Sequence, residues 1–227
     1  MVAGMTVRVY SSADVGAPVL NMSAGSLVAV LDACLVNGYG SKPGSGWAKS
    51  FADSTLRAAY KQGVGGNGHY FYLDDSVGAS ARCRGYEAMT DINTGTGPFP
   101  FDAPLYMHKH NGVAGDRGWY LIANESTFYF VTQYDTATYW TSSSLTAFGK
   151  TRSYHPGDNW DTMLIAAIQA VHTGNASWDS ALNLFGTNAG FYTPRYDITF
   201  YGHFMARRWH GVGGASNVAK YGVISCL

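Results

Sequence analysis

The sequence predicts a mainly β protein, a β-sandwich or strongly curved antiparallel sheet with one packed α-helix at about residues 26–36. Three observations predict it. Several short stretches alternate apolar and polar residues with a period of two. Aromatic residues make up 15% of the chain, with 16 Tyr, 11 Phe and 6 Trp, and 28 glycines punctuate the stretches between them; rings suit pleated strands and glycines suit the turns between strands. One segment alone carries helical spacing.

Thr6 to Ser12 opens the chain as a strand, with Val7 and Val9 on one side and Arg8 and Tyr10 on the other. Asp14 to Pro18 is turn material. In SLVAVLDACLV, Leu27, Leu31, Cys34 and Leu35 recur on one helical stripe from which Asp32 is excluded, so the helix is expected to lie on a sheet. Ser23 or Ser26 is the expected N-cap, and Asn37-Gly38 the stop. Gly38 to Gly46 is a loop. Leu56 to Gln62 and His69 to Asp75 are predicted strands joined by the flexible GVGGNG. Ala81 to Met89 alternates, placing Arg82 and Arg84 opposite Cys83. Asn93 to Pro100 is turn-rich. Trp119 to Ala123 and Thr127 to Tyr134 form a hairpin through Asn124-Glu125-Ser126. Tyr139 to Lys150 is a strand or an irregular crossover. Met163 to Val171 is a continuous apolar run that periodicity cannot assign to strand or helix. Thr173 to Pro194 reads as a long loop, and Ile198 to Arg208 and Val218 to Ile224 as closing strands. The expected organisation is a β-rich core over 1–153, with 154–227 completing the sheet or forming an arm, within one domain or as a second.

Composition narrows the function. Charged residues are only 13%, and 15 Lys plus Arg balance 15 Asp plus Glu. A neutral, charge-poor surface is a weak lure for nucleic acid or anionic lipid, and weak protection against self-association. No apolar run is long enough to span a membrane as a helix. Three widely spaced cysteines, Cys34, Cys83 and Cys226, fit neither a disulfide framework nor a CxxC metal pattern. With no leader-like opening, the expectation is synthesis in a reducing cytoplasm.

Motifs that would carry chemistry fail on context. GVGGNG runs into His69-Tyr70-Phe71-Tyr72, a strand, where a phosphate loop needs a helix. No GxSxG elbow occurs. His108 and His110 would share one face of a strand and are the transition-metal candidates, without a signposted third ligand; calcium at Asp158 to Asp161 lacks the rest of an EF-hand loop. Asp74-Asp75 and the Asp158-Asn159-Trp160-Asp161 cluster offer carboxylates. Trp160 with Asp158 and Asp161 is the carbohydrate candidate, though Asp and Asn also serve turns. Arg207, Arg208 and Trp209 form the strongest basic-aromatic patch. With Arg82 and Arg84 they are the candidate interface residues, since Arg and Trp are favoured anchors. No enzyme activity and no cofactor is expected.

Several stretches resemble a family of tailed-bacteriophage and prophage virion structural proteins. They are SLVAVLDACLVNGYG at 26–40, GWAKSFA at 46–52, RGYEAMTDINTGTGPFPF at 84–101, GWYLIANESTFYF at 118–130 and SYHPGD at 153–158. The resemblance covers roughly residues 5 to 160 and brings no active-site residues. It implies a place in the virion, in the tail or baseplate or as a decoration protein on the capsid. The implied partners are other virion proteins and copies of the chain itself in a ring or trimer, with no nucleic acid and no membrane. A receptor- or carbohydrate-binding module at the tail tip is one rival expectation; an enzyme such as a cell-wall hydrolase, which needs two carboxylates facing each other across a cleft, is the other.

Overall fold

The computed structural model describes residues 6–99, 104–109, 114–133, 142–150, 162–170 and 203–206. It is a mainly β sandwich with one short helix.

The first sheet has six strands in the order β1-β9-β10-β11-β12-β13. These are β1 (Arg8–Ser11), β9 (Trp119–Ala123), β10 (Thr127–Gln133), β11 (Ser142–Lys150), β12 (Thr162–Ala170) and β13 (His203–Ala206). The second sheet has five, in the order β2-β3-β4-β5-β8: β2 (Ala48–Asp53), β3 (Arg57–Lys61), β4 (Tyr70–Asp74), β5 (Ser80–Tyr86) and β8 (Leu105–His108). A small hairpin of β6 (Ala88–Asp91) and β7 (Thr94–Thr96) stands apart. Every named pairing is antiparallel.

Alternation decides what faces inward. On the first sheet Tyr10, Trp119, Leu121, Ala123, Phe128 and Phe130 are buried; on the second, Tyr60, Phe71, Leu73, Ala81, Cys83, Leu105 and Met107. These residues join in one core, the interlock of two inner faces that defines a sandwich. Rings carry much of the contact: Trp47 meets Phe128 edge-on at 5.6 Å, and Phe99 stacks on Phe148 at 5.8 Å.

The helical segment connects an edge strand of one sheet to an edge strand of the other. α1 (Ser26–Leu31) continues without a break into a π-helical stretch, Asp32–Asn37. Leu27, Val28, Val30, Leu31, Cys34 and Leu35 are all buried, so the apolar surface is wider than the single stripe expected, because the helix is wrapped by the core. Asp32 is held at the margin by Lys49 Nζ (2.8 Å) and the Tyr60 hydroxyl (2.9 Å).

The structure corrects the expected cap. The N-cap is Gly25, with φ 82°, and neither Ser23 nor Ser26 caps with its side chain. The capping oxygen comes from another element: Asp75 Oδ2 accepts from the Leu27 N–H at 2.8 Å. A side chain at position 25 would need a left-handed backbone, and its Cβ would lie 2.7 Å from the Thr55 carbonyl oxygen, so glycine is required there.

Other expectations are refined. The Ala81–Met89 alternation breaks at Glu87, where the chain leaves the second sheet for the small hairpin. Asn93 to Pro100 contains β7 as well as turn. The apolar run beginning at Met163 is strand β12, whose partners β11 and β13 extend the first sheet into the C-terminal part of the chain. The expected closing strand Val218 to Ile224 lies outside the described residues.

Candidate functional site

The outward side of β1, β9 and β10 is the feature that departs most from an ordinary solvent-facing sheet. Such a face usually alternates apolar-in with polar-out. Here the outward residues are themselves apolar. Val9 is 52% exposed, Ile122 43%, Tyr120 46% and Tyr129 37%. Register places Val9 opposite Ile122, and Ile122 opposite Tyr129. Directly opposed residues touch, so the three make a continuous row across three strands. The row runs on to Ala147 of β11, which is buried. Tyr120 sits in the next row, opposite Val131. Val7, 60% exposed, leads into β1 from the same side. None of these residues carries a charge.

The neighbouring edge is closed. β1 has a pairing partner on one side only, and such an edge presents unpaired backbone groups to another chain. Side chains from the segment after it occupy those groups. Lys42 Nζ donates to the Val9 carbonyl at 2.8 Å and to Asp14 Oδ2 at 2.6 Å. Asp14 Oδ2 also accepts from the Ser11 N–H and the Tyr39 hydroxyl, each at 2.8 Å. The hydrogen bond from Lys42 is the main reason the Asp14 carboxyl sits below its ordinary pKa; burial works against this and the Tyr39 and Ser11 bonds add to it. Burial, then the bond to Asp14, pushes the Tyr39 phenol well above its ordinary value. Backbone pairing along β1 is therefore blocked, and the apolar face beside it stays partly exposed.

A second constellation lies inside. The inward row of β4, Phe71 and Leu73, is continued by Asp75 just past the strand, and that of β8, Leu105 and Met107, by Lys109 just past it. Lys109 Nζ and Asp75 Oδ1 meet at 2.5 Å, with both side chains fully buried. Lys109 Nζ also reaches the Ser23 carbonyl (2.8 Å) and Ser26 Oγ (3.3 Å). Burial raises the Asp75 pKa and lowers that of Lys109, in each case against the pull of the partner. Asp74, its neighbour, faces the other way and accepts from the Ser76 N–H. The Asp74-Asp75 pair therefore does not form a pair of facing carboxylates.

The expected site residues are distributed as follows. Arg82 is exposed on the outer side of the second sheet, between Asp74 and Tyr106 in register. Arg84 is half-buried opposite Tyr72, with its Nε sealed from solvent and without a hydrogen-bond partner among the described residues. His108 ends β8 beside Tyr106, with ring centroids 6.4 Å apart, and burial lowers its pKa to about 4. No group of three metal-ligating side chains occurs among the described residues. His110, Asp158, Trp160, Asp161, Arg207, Arg208 and Trp209 lie outside the described residues, as does Cys226.

Sequence reasoning missed both the open row and the buried pair. The signal for the first is that Trp119–Ala123 and Phe128–Val131 are apolar at every position, where a strand wetted on one face would alternate. The signal for the second is that Lys109 continues the inward alternation of Leu105 and Met107, masked by the histidines on either side. No helix among the described residues is long and apolar enough to cross a membrane. Compared with known proteins, the chain matches no protein-family model and no curated relative.

Proposed function

We propose that the chain is a structural subunit of a tailed-bacteriophage virion, working by packing against copies of itself and other particle proteins, in the tail or baseplate ahead of the capsid surface. The observation that carries the reading is the uncharged row Val9, Ile122 and Tyr129, open to solvent beside an edge that is chemically closed. A β protein associates by strand addition at an edge or by covering a face. With the β1 edge occupied, the face is the route left at this side of the first sheet. Tyr and aliphatic side chains free of charge are the composition of an interface centre. The stretches that resemble virion structural proteins supply the particle context, and four of the five lie largely in described elements of this sandwich.

The test has two arms. Sedimentation of the purified full chain is expected to show an assembly larger than a monomer, and Ile122→Lys is expected to dissociate it while leaving the circular dichroism spectrum unchanged. Mass spectrometry of purified particles from the encoding phage or prophage is expected to find the chain. A chain that stays monomeric at every concentration and is missing from the particles would end this reading.

A further inference from the structure

We propose that Lys109 and Asp75 condense into an intramolecular isopeptide bond, fastening the end of β8 to the end of β4 inside the sandwich. The proposal rests on placement. Strand alternation drives both side chains inward, where they meet end to end at 2.5 Å with no exposed surface on either. Fixed opposition of two reacting groups replaces a bimolecular encounter, and effective molarities of about 10⁵ M or more are reached in such arrangements.

The surrounding groups suit the reaction. The Ser23 carbonyl and Ser26 Oγ hold hydrogens of the amine, and Ser26 is itself fixed by donating to the Asn21 carbonyl at 2.8 Å. These contacts orient the nitrogen towards the carboxyl group. On the far side, the Leu27 N–H donates to Asp75 Oδ2. That oxygen takes up negative charge when the carboxyl carbon becomes tetrahedral, so a backbone donor already stands where charge develops. Desolvation favours the neutral forms of both groups, the shift that turns a buried lysine into a nucleophile.

The step balances without a co-reactant. A proton passes from Nζ to Oδ1, giving an amine and a carboxylic acid. The Nζ lone pair then forms a bond to Cγ, the Cγ–Oδ1 bond breaks, and Oδ1 departs as water with the carboxyl proton and a second proton from Nζ. Nothing is oxidised or reduced. In water this condensation is opposed largely by the hydration of the two ions; in this core that hydration has already been removed.

The experiment is an intact-mass measurement on the purified full chain, held folded for several days and then denatured. The expected result is a species one water lighter than the chain's own mass. A tryptic digest should contain one branched peptide joining Asp75 to Lys109, uncut after Lys109. Lys109→Met should show no loss, and Asp75→Asn, which keeps a reactive carbonyl, should lose ammonia instead. Should either variant fail to fold, the wild-type chain decides alone. Retention of the full mass, with separate linear peptides and cleavage after Lys109, overturns the proposal and leaves the pair a buried ion pair.

Discussion

Phe71 of β4 and Phe128 of β10 meet edge-on with ring centroids 5.0 Å apart, one from each sheet, and both rings are fully buried. Phe148 of β11 packs on the same Phe71 ring at 5.3 Å. Three strands from two sheets thus converge on one side chain. Phe71→Ala would remove that ring and leave a cavity its stiff neighbours cannot fill. The expected loss is about 3–5 kcal/mol, read as a lower midpoint in chemical denaturation with an unchanged slope. Phe71→Leu should recover most of it, because volume matters more than aromaticity in a close-packed core.

Gly25 is the position where backbone geometry sets the residue type most strictly. Its φ of 82° is left-handed, and a methyl group there would press on the Thr55 carbonyl. Gly25→Ala adds roughly 1–2 kcal/mol for the left-handed conformation, plus the cost of displacing the 54–56 turn. Its backbone N–H also donates to the Asp75 carbonyl at 3.0 Å, so the shift is felt at the helix start. Thermal unfolding should begin several degrees lower. Ser23→Ala, at a position the sequence favours as a cap, should change little, since its side chain does not cap the helix.

His108 makes stability depend on pH. Burial holds its pKa at about 4, below its ordinary value of 6.5. Between these values the unfolded chain binds a proton that the folded chain refuses, so stability rises with pH across this window and is lost as pH falls through it. The upper bound of the effect is roughly 3.5 kcal/mol, since one pKa unit is worth about 1.4 kcal/mol. Denaturation midpoints measured from pH 7 down to 4 should fall more steeply for the native chain than for His108→Phe.

How much of this was legible in the sequence varies with the physics involved. The Trp119–Ala123 strand was readable to the residue, because the Asn124-Glu125-Ser126 turn brackets it. The buried helix was readable from Leu27, Leu31, Cys34 and Leu35. Its cap was not, since Asp75 lies 48 residues from Leu27 and only the fold brings them together. β12 is ambiguous because a continuous apolar run such as Met163 to Ile168 has no period to detect. Lys109 is hidden for a different reason: its residue type says surface, while the alternation that runs through Leu105 and Met107 says core. The Val9–Ile122–Tyr129 row depends on strand order and register, which no local window contains.

The closed edge of β1 is the last feature with a measurable consequence. Lys42 bridges the Val9 carbonyl and Asp14, and Asp14 in turn holds the Ser11 N–H. Lys42→Ala would free the Val9 carbonyl and leave Asp14 without its cation. The fold should survive, because exposed pairs of this kind contribute only about 0–1 kcal/mol. The expected change is in the mode of association: an edge strand with unpaired groups beside an apolar face should pair with other chains by strand addition, seen as thioflavin binding and as light scattering that keeps growing beyond the native chain's own finite assembly. Acid should act in the same direction. The Asp14 pKa is depressed, so its bonds persist above the ordinary carboxylate value and are lost as pH falls through the lower folded value. Association of the native chain should therefore rise on strong acidification. The Lys42→Ala variant, whose edge is already open, should respond less, and an equal acid response in both proteins would separate association from this cap.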